Sequence, residues 1–185
     1  MRVAVYRGPH ELDIEERPVP AVGPHDLLLE VSHCGICGSD IHFVLEGWGR
    51  PGSIEGHEYA GRVVAVGDAV TDWQVGDTVV GGPSPRCGTC EYCRAGRPSL
   101  CSGRSTPGQS IHADGAFAEY TLVPDHPLIA QNTTLPSEVR GALPETSLTS
   151  AGSLQPSGGE TLLLRGGTSS VDLACSSSPA RPACA

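Results

Sequence analysis

Gly35-Ile36-Cys37-Gly38-Ser39-Asp40-Ile41-His42 places a thiol, a hydroxyl, a carboxylate and an imidazole within six residues, and Gly56-His57-Glu58-Tyr59-Ala60-Gly61 follows soon after. A metal ion that does chemistry usually takes three side-chain donors of nitrogen, sulfur or oxygen type and keeps a fourth position open. Cys37, His57 and an acid such as Glu58 supply that set. The sulfur and the imidazole stand 20 residues apart, too far for one local finger loop, so the fold has to bring them together. Either residue alone reads more simply as a buried packing group. As a pair flanked by glycines they read as ligands.

A second cluster is more specific. Cys87-Gly88-Thr89-Cys90-Glu91-Tyr92-Cys93 is followed by Cys101, giving intervals of two, two and seven residues. Four thiolates close a tetrahedron around zinc with no open position, so the expected role is structural. The surrounding lobe, residues 86–104, has little apolar content, and metal binding would supply the missing free energy of folding. Clustering and the lack of an export signal argue against disulfides, and iron–sulfur clusters use other spacings. A nucleic-acid-binding ribbon would need a basic surface. Arg86, Arg94, Arg97 and Arg104 lie nearby, but the chain as a whole is acidic. Cys34, Cys175 and Cys184 receive no role; Cys34 is expected to be a buried strand-end residue.

Twelve arginines and no lysine stand against 21 acidic residues, a net charge of -9, which repels polyanions and anionic membrane surfaces. A small-molecule partner is expected, with no nucleic acid and no membrane. No apolar run approaches the roughly 20 residues of a membrane helix. Met1 to Arg7 carries no leader pattern, so the expected location is cytoplasmic. With 24 glycines and 16 prolines, turns are frequent. Strand patterns are read at Met1–Arg7, Glu11–Glu16, His25–His33, Tyr59–Val66, Asp77–Val80, Gly115–Val123 and Pro127–Ala130. A short helix is read over Ser39–Glu46 with Ser39 or Asp40 as its N-cap. Ser137–Ser150 reads as a helix interrupted by Pro144, and Glu160–Arg165 as a buried strand. The fold class is mainly β with short helices, a barrel or a sandwich.

The two metal motifs, with Gly67 and Val70 following the second ligand segment, resemble the zinc signature of the medium-chain alcohol dehydrogenases, and the likeness runs from Met1 to about Val171. That resemblance implies a GroES-like barrel over residues 1–155, followed by the first strand of a Rossmann domain. It implies that Cys37 and His57 ligate a catalytic zinc, with Glu58 as a direct or switching ligand. Asp40 would accept a hydrogen bond from the outer nitrogen of His57. Ser39 would hydrogen-bond the substrate alcohol, and His42 would pass its proton to solvent, as befits an imidazole. The four-cysteine lobe would hold a second, structural zinc. NAD(P) is the family's cofactor, an alcohol or polyol its substrate, and oligomers are possible in its full-length members. A third ligand comes later in the family. Glu145 falls near that place, although Leu143-Pro144-Glu145-Thr146 also resembles zinc-free quinone reductases of the same superfamily. His10, His25, His33, His112 and His126 are expected to be surface or packing residues.

After Thr161–Arg165, the segment Gly166-Gly167-Thr168-Ser169-Ser170-Val171 resembles the start of a dinucleotide-binding turn. Asp172 stands where the helix-packing glycine belongs, and the serine- and proline-rich residues to Ala185 carry no helical stripe. Residues 156–185 are therefore expected to be the truncated start of a nucleotide-binding domain with an aberrant tail, as from a frameshift, and the NAD(P) site to be missing. Zinc at both sites and little turnover by this chain alone are the corresponding expectations. The alternatives are a reductase without catalytic zinc and a non-catalytic, zinc-stabilised binding module.

Overall fold

A computed structural model describes residues 1–82, 87–97, 100–103, 114–125, 129–130 and 135–141, with only the backbone at 129–130. All belong to one compact unit, Met1–Ala142. The continuation of the 137–150 helix, the strand Glu160–Arg165, Glu145 and the turn Gly166–Val171 lie outside these residues.

Alternation of apolar and charged side chains makes β1 (Arg2–Gly8) and β2 (Glu11–Glu16) an antiparallel hairpin. Val3 and Val5 turn inward against Ile54, while Arg7 and Arg17 face the carboxylates of Asp13 and Glu15. The remaining strands are β3 (Asp26–Gly35), β4 (Glu58–Val66), β5 (Thr78–Gly81), β6 (Tyr120–Pro124) and β7 (Ile129–Ala130). They form one antiparallel sheet in the order β6-β3-β4-β5-β7. Leu27, Leu29, Tyr59, Val63, Val79 and Val123 fill the core on its inner side. Short helices complete the described elements: α1 (Gly38–Leu45), which leaves the end of β3, α2 (Glu91–Arg94), inside the cysteine lobe, and a helical turn at residues 137–141, where the sequence reading starts its helix. The chain is mainly β with short helices, as its sequence implies.

Most boundaries shift by a residue or two, and two differences bear on the site. The strand read over Gly115–Val123 begins only at Tyr120, because the preceding backbone pairs elsewhere. The amides of Gly115, Ala116 and Phe117 donate to the carbonyls of Ile54, Gly56 and Glu55 at 2.7, 2.8 and 3.0 Å. The cap of α1 is Cys37, rather than Ser39 or Asp40. Asp40 sits at the third helical position, and its Oδ2 reaches back to accept the Cys37 amide at 2.8 Å, which satisfies one of the helix's unpaired donors.

The β3–β4 register decides the site. Gly35 pairs with Glu58 and Cys34 with Tyr59, so the chain leaving β3 and the chain entering β4 are neighbours. Cys37 and His57 are thereby joined across the sheet end despite their separation in sequence. The other end of β4 is closed by Gly67, whose amide donates to Asp26 O at 2.9 Å. A Cβ there would lie 2.1 Å from Gly23 O and 2.4 Å from Pro24 O, both backbone atoms that cannot swing aside. Gly67→Ala is expected to lower stability by about 1–3 kcal/mol in urea unfolding. Gly8→Ala, where an added Cβ meets nothing within 4 Å, should stay within about 0.5 kcal/mol of the parent.

Candidate metal centre

Gly56 takes φ +92, and a Cβ on it would lie 2.6 Å from the Phe117 ring and 2.9 Å from the Phe117 amide nitrogen. Only glycine lets Ile54–Glu58 pass so close to the 115–117 segment. His57 and Glu58 are delivered from that pinned segment, both buried. From the opposite side, Cys37 stands at the start of α1. Gly35 leaves room beside it: a Cβ there would lie 2.7 Å from Glu58 Oε2. One ligand atom each from Cys37, His57 and Glu58 fall within 4.8 Å of one another.

Asp40 ties these pieces together. Its side chain is 2% exposed, and while Oδ2 holds the Cys37 amide, Oδ1 lies 3.4 Å from His57 Nδ1. Oδ1 has no partner of hydrogen-bond geometry among the described residues. On the other ring nitrogen, Ser39 Oγ stands 3.2 Å from His57 Nε2. Burial by itself would lower the pKa of His57, but Asp40 and then Cys37 outweigh it and carry the group to about 9. The surroundings favour positive charge on or beside that ring. A thiol, an imidazole and a carboxylate in a pocket of this polarity fit a divalent ion of zinc type, with one position left for a small ligand. Cys34 is half-buried and outside the ligand cluster. Burial pushes its thiol to about 12, so it stays protonated.

Cys87, Cys90, Cys93 and Cys101 form the second cluster, again with their sulfurs within 4.8 Å of one another. Cys101 Sγ and Cys87 Sγ are 3.5 Å apart, close to the spacing of about 3.8 Å that bonds of about 2.3 Å impose around tetrahedral zinc. The amides of Cys90, Cys93 and Cys87 point at the sulfurs of Cys87, Cys90 and Cys101 at 3.3, 3.5 and 3.4 Å. Amides of Thr89 and Cys90 bring the Cys87 thiol down to about 5, and those of Cys93 and Ser102 lower Cys90. Cys93 goes the other way, to about 12, through desolvation and then the neighbouring sulfurs of Cys90 and Cys101. A cation among the four would remove that opposition, so this donor set fits a closed zinc site. Arg86 and Arg104 lie outside the described residues, as do His112, His126, Cys175 and Cys184.

His42 lies one helical turn beyond Ser39. Its Nδ1 is 2.7 Å from Glu46 Oε1 and its ring stacks on Trp48 with centroids 5.0 Å apart. Sequence reasoning assigned nothing to Trp48, which lies in a glycine-rich turn, or to Glu55. Glu55 is 2% exposed, accepts from Ser53 Oγ at 2.6 Å, and has its carboxyl pKa raised by burial. A charged residue between Ile54 and Gly56 was the available signal.

Asp40→Asn is expected to weaken zinc at the Cys37–His57–Glu58 cluster about 10–100-fold while the lobe stays loaded, read by titration in zinc buffers. Cys101→Ser should strip the lobe of its metal and open residues 87–101 to limited proteolysis, leaving the first cluster's metal in place.

The description of the alcohol dehydrogenase GroES-like domain matches residues 23–133. An L-threonine 3-dehydrogenase of Chelativorans sp. (strain BNC1) is 41% identical over 145 residues, covering 75% of this chain and 42% of that protein. Among solved structures, a cobalt- and zinc-bound thermostable alcohol dehydrogenase from Pyrobaculum aerophilum superposes with a TM-score of 0.82 at 28% identity. It covers 95% of this chain and 54% of its own. An alcohol dehydrogenase of Escherichia coli CFT073, solved with NADH, gives a TM-score of 0.77 at 31% identity over 87% of this chain and 48% of its own. The chain therefore spans about half the length of the proteins it matches. Among the described residues no helix is long and apolar enough to cross a membrane. With a matching domain description over most of its described length and both metal clusters assembled, the chain belongs to the zinc-dependent medium-chain alcohol dehydrogenase family, of which it covers the N-terminal GroES-like part.

Proposed function

We propose that this chain is the catalytic portion of an alcohol dehydrogenase that oxidises a small alcohol and passes hydride to NAD(P), with one catalytic and one structural zinc. The observation that carries the reading is the convergence of Cys37, His57 and Glu58 within 4.8 Å, with Ser39 Oγ 3.2 Å from His57 Nε2. Cys37 and His57 would hold the catalytic metal, Glu58 would be a direct or exchanging ligand, and Cys87, Cys90, Cys93 and Cys101 would hold the structural one. When bound at the first cluster, zinc supplies a Lewis acid that lowers the pKa of an alcohol.

The protein's own groups then divide the remaining work. Asp40 holds the imidazole of His57 in one tautomer and orientation. Ser39, at the rim of the cluster, orients the substrate hydroxyl and relays its proton, accepting it as its own hydroxyl hydrogen is passed on. His42 carries that proton to solvent, one helical turn further out. The buried walls around His57 and Glu58 keep bulk water from competing for the open position. The L-threonine 3-dehydrogenase relative supports a secondary alcohol on a polar carbon chain, a class that includes polyols. The relative solved with NADH supports a nicotinamide acceptor. On this reading residues 1–155 are the catalytic domain, and residues 156–185 are the truncated start of a nucleotide-binding domain with an aberrant tail.

Metal analysis of the wild-type chain should give two zincs and Cys37→Ser one. A single zinc in both would remove the catalytic assignment and favour the zinc-free reductase. With cobalt in place of zinc, a substrate alcohol should shift the visible absorption of the wild type and leave that of Cys37→Ser unchanged. With an intact nucleotide-binding domain supplied in trans and alcohol-dependent reduction of NAD or NADP restored, Ser39→Ala should lower kcat/KM about 100- to 10,000-fold with zinc content unaltered.

A further inference from the structure

Helix α1 carries a stripe of polar groups that leads from the buried cluster to solvent. Ser39, His42 and Glu46 are spaced by three and four residues, so they fall on one face. Ser39 touches His57, while the side chains of His42 and Glu46 are 50% and 48% exposed. An exposed i,i+4 pair contributes only about 0.3–0.5 kcal/mol, and by itself would leave the His42 ring free to turn.

Two further features restrain it. Gly47 takes φ +77 and reverses the chain directly after Glu46. That reversal lays the Trp48 indole over the imidazole face at an interplanar angle of 18°. The Glu46 amide also donates to His42 O at 3.0 Å, fixing the carboxylate's backbone against the turn it serves. The ring is thus held on one edge by a carboxylate and on one face by an indole.

We propose that Glu46 is a positioning residue that sets the tautomer of His42, with the ring held against Trp48, so that Nδ1–H donates to the carboxylate and Nε2 is the proton-accepting nitrogen. This rests on the relay role given to His42 above. An ionised carboxylate only accepts hydrogen bonds, so Nδ1, 2.7 Å from Glu46 Oε1, must carry the hydrogen, and in a neutral imidazole the other nitrogen then holds the lone pair. When Nε2 takes a proton from a hydroxyl, the imidazolium formed keeps its Nδ1–H on Glu46, which stabilises the charge until Nε2 releases the proton to water. The arrangement is that of a carboxylate orienting a histidine base, here built on a single helix.

The test is long-range proton–nitrogen correlation NMR on the full zinc-loaded chain with nitrogen-15 histidine, above neutral pH, with His42 identified by its loss in His42→Asn. The expected result is the Nδ1–H tautomer in the wild type and its loss in Glu46→Ala, where the Nε2–H form takes over. An Nε2–H tautomer in the wild type, or an unchanged Nδ1–H form in Glu46→Ala, would overturn the proposal. Glu46 is half-exposed at the helix end, so its replacement spares the core, and the wild-type spectrum decides even without the variant. Because tautomer and zinc count are read separately, loss of the catalytic assignment and loss of this one are told apart.

Discussion

A single buried carboxylate joins the two halves of the Cys37–His57–Glu58 cluster. Asp40 binds the amide of Cys37 with one oxygen and faces the imidazole of His57 with the other. The same group caps a helix, sets the entry geometry of a sulfur donor and orients a nitrogen donor. A buried carboxylate without such partners would be costly. Placed between an amide and an imidazole, it instead makes the position of each ligand depend on the other.

That coupling is available only because the sheet has already brought the two segments together. β3 and β4 run antiparallel with Gly35 opposite Glu58, and the 115–117 segment pins the approach to β4 through three backbone hydrogen bonds. The four-cysteine lobe is a different kind of object. Its donors are local in sequence, its amides point at its own sulfurs, and it needs nothing from β3 or β4 to assemble its ligands.

The motifs were legible because their chemistry forces spacing: four cysteines at fixed intervals, and a sulfur and an imidazole each flanked by glycine. Most strands were legible from alternation and from the turns that bound them. Alternation failed at Gly115–Glu119, where the amides of residues 115–117 bond to Ile54–Gly56 and the next residues bridge to β1 and Val31 instead of forming a ladder. It also failed to find the helix cap, because a cysteine is a weak capping residue and the acid three positions on does the capping in reverse. Glu55 and Trp48 carried no spacing signal; their significance lies in what surrounds them, which requires the tertiary structure.

The register of β3 against β4 also separates what must be kept from what can change. A slip of one residue would turn every side chain to the opposite face and move His57 away from Cys37. The chain between them, from Glu46 to Arg50, adds no residue to the Cys37–His57–Glu58 cluster. Within it Glu46 and Trp48 brace the His42 ring and a Cβ at Gly49 would lie 2.9 Å from the Tyr6 ring, so latitude for substitution falls to exposed positions such as Arg50.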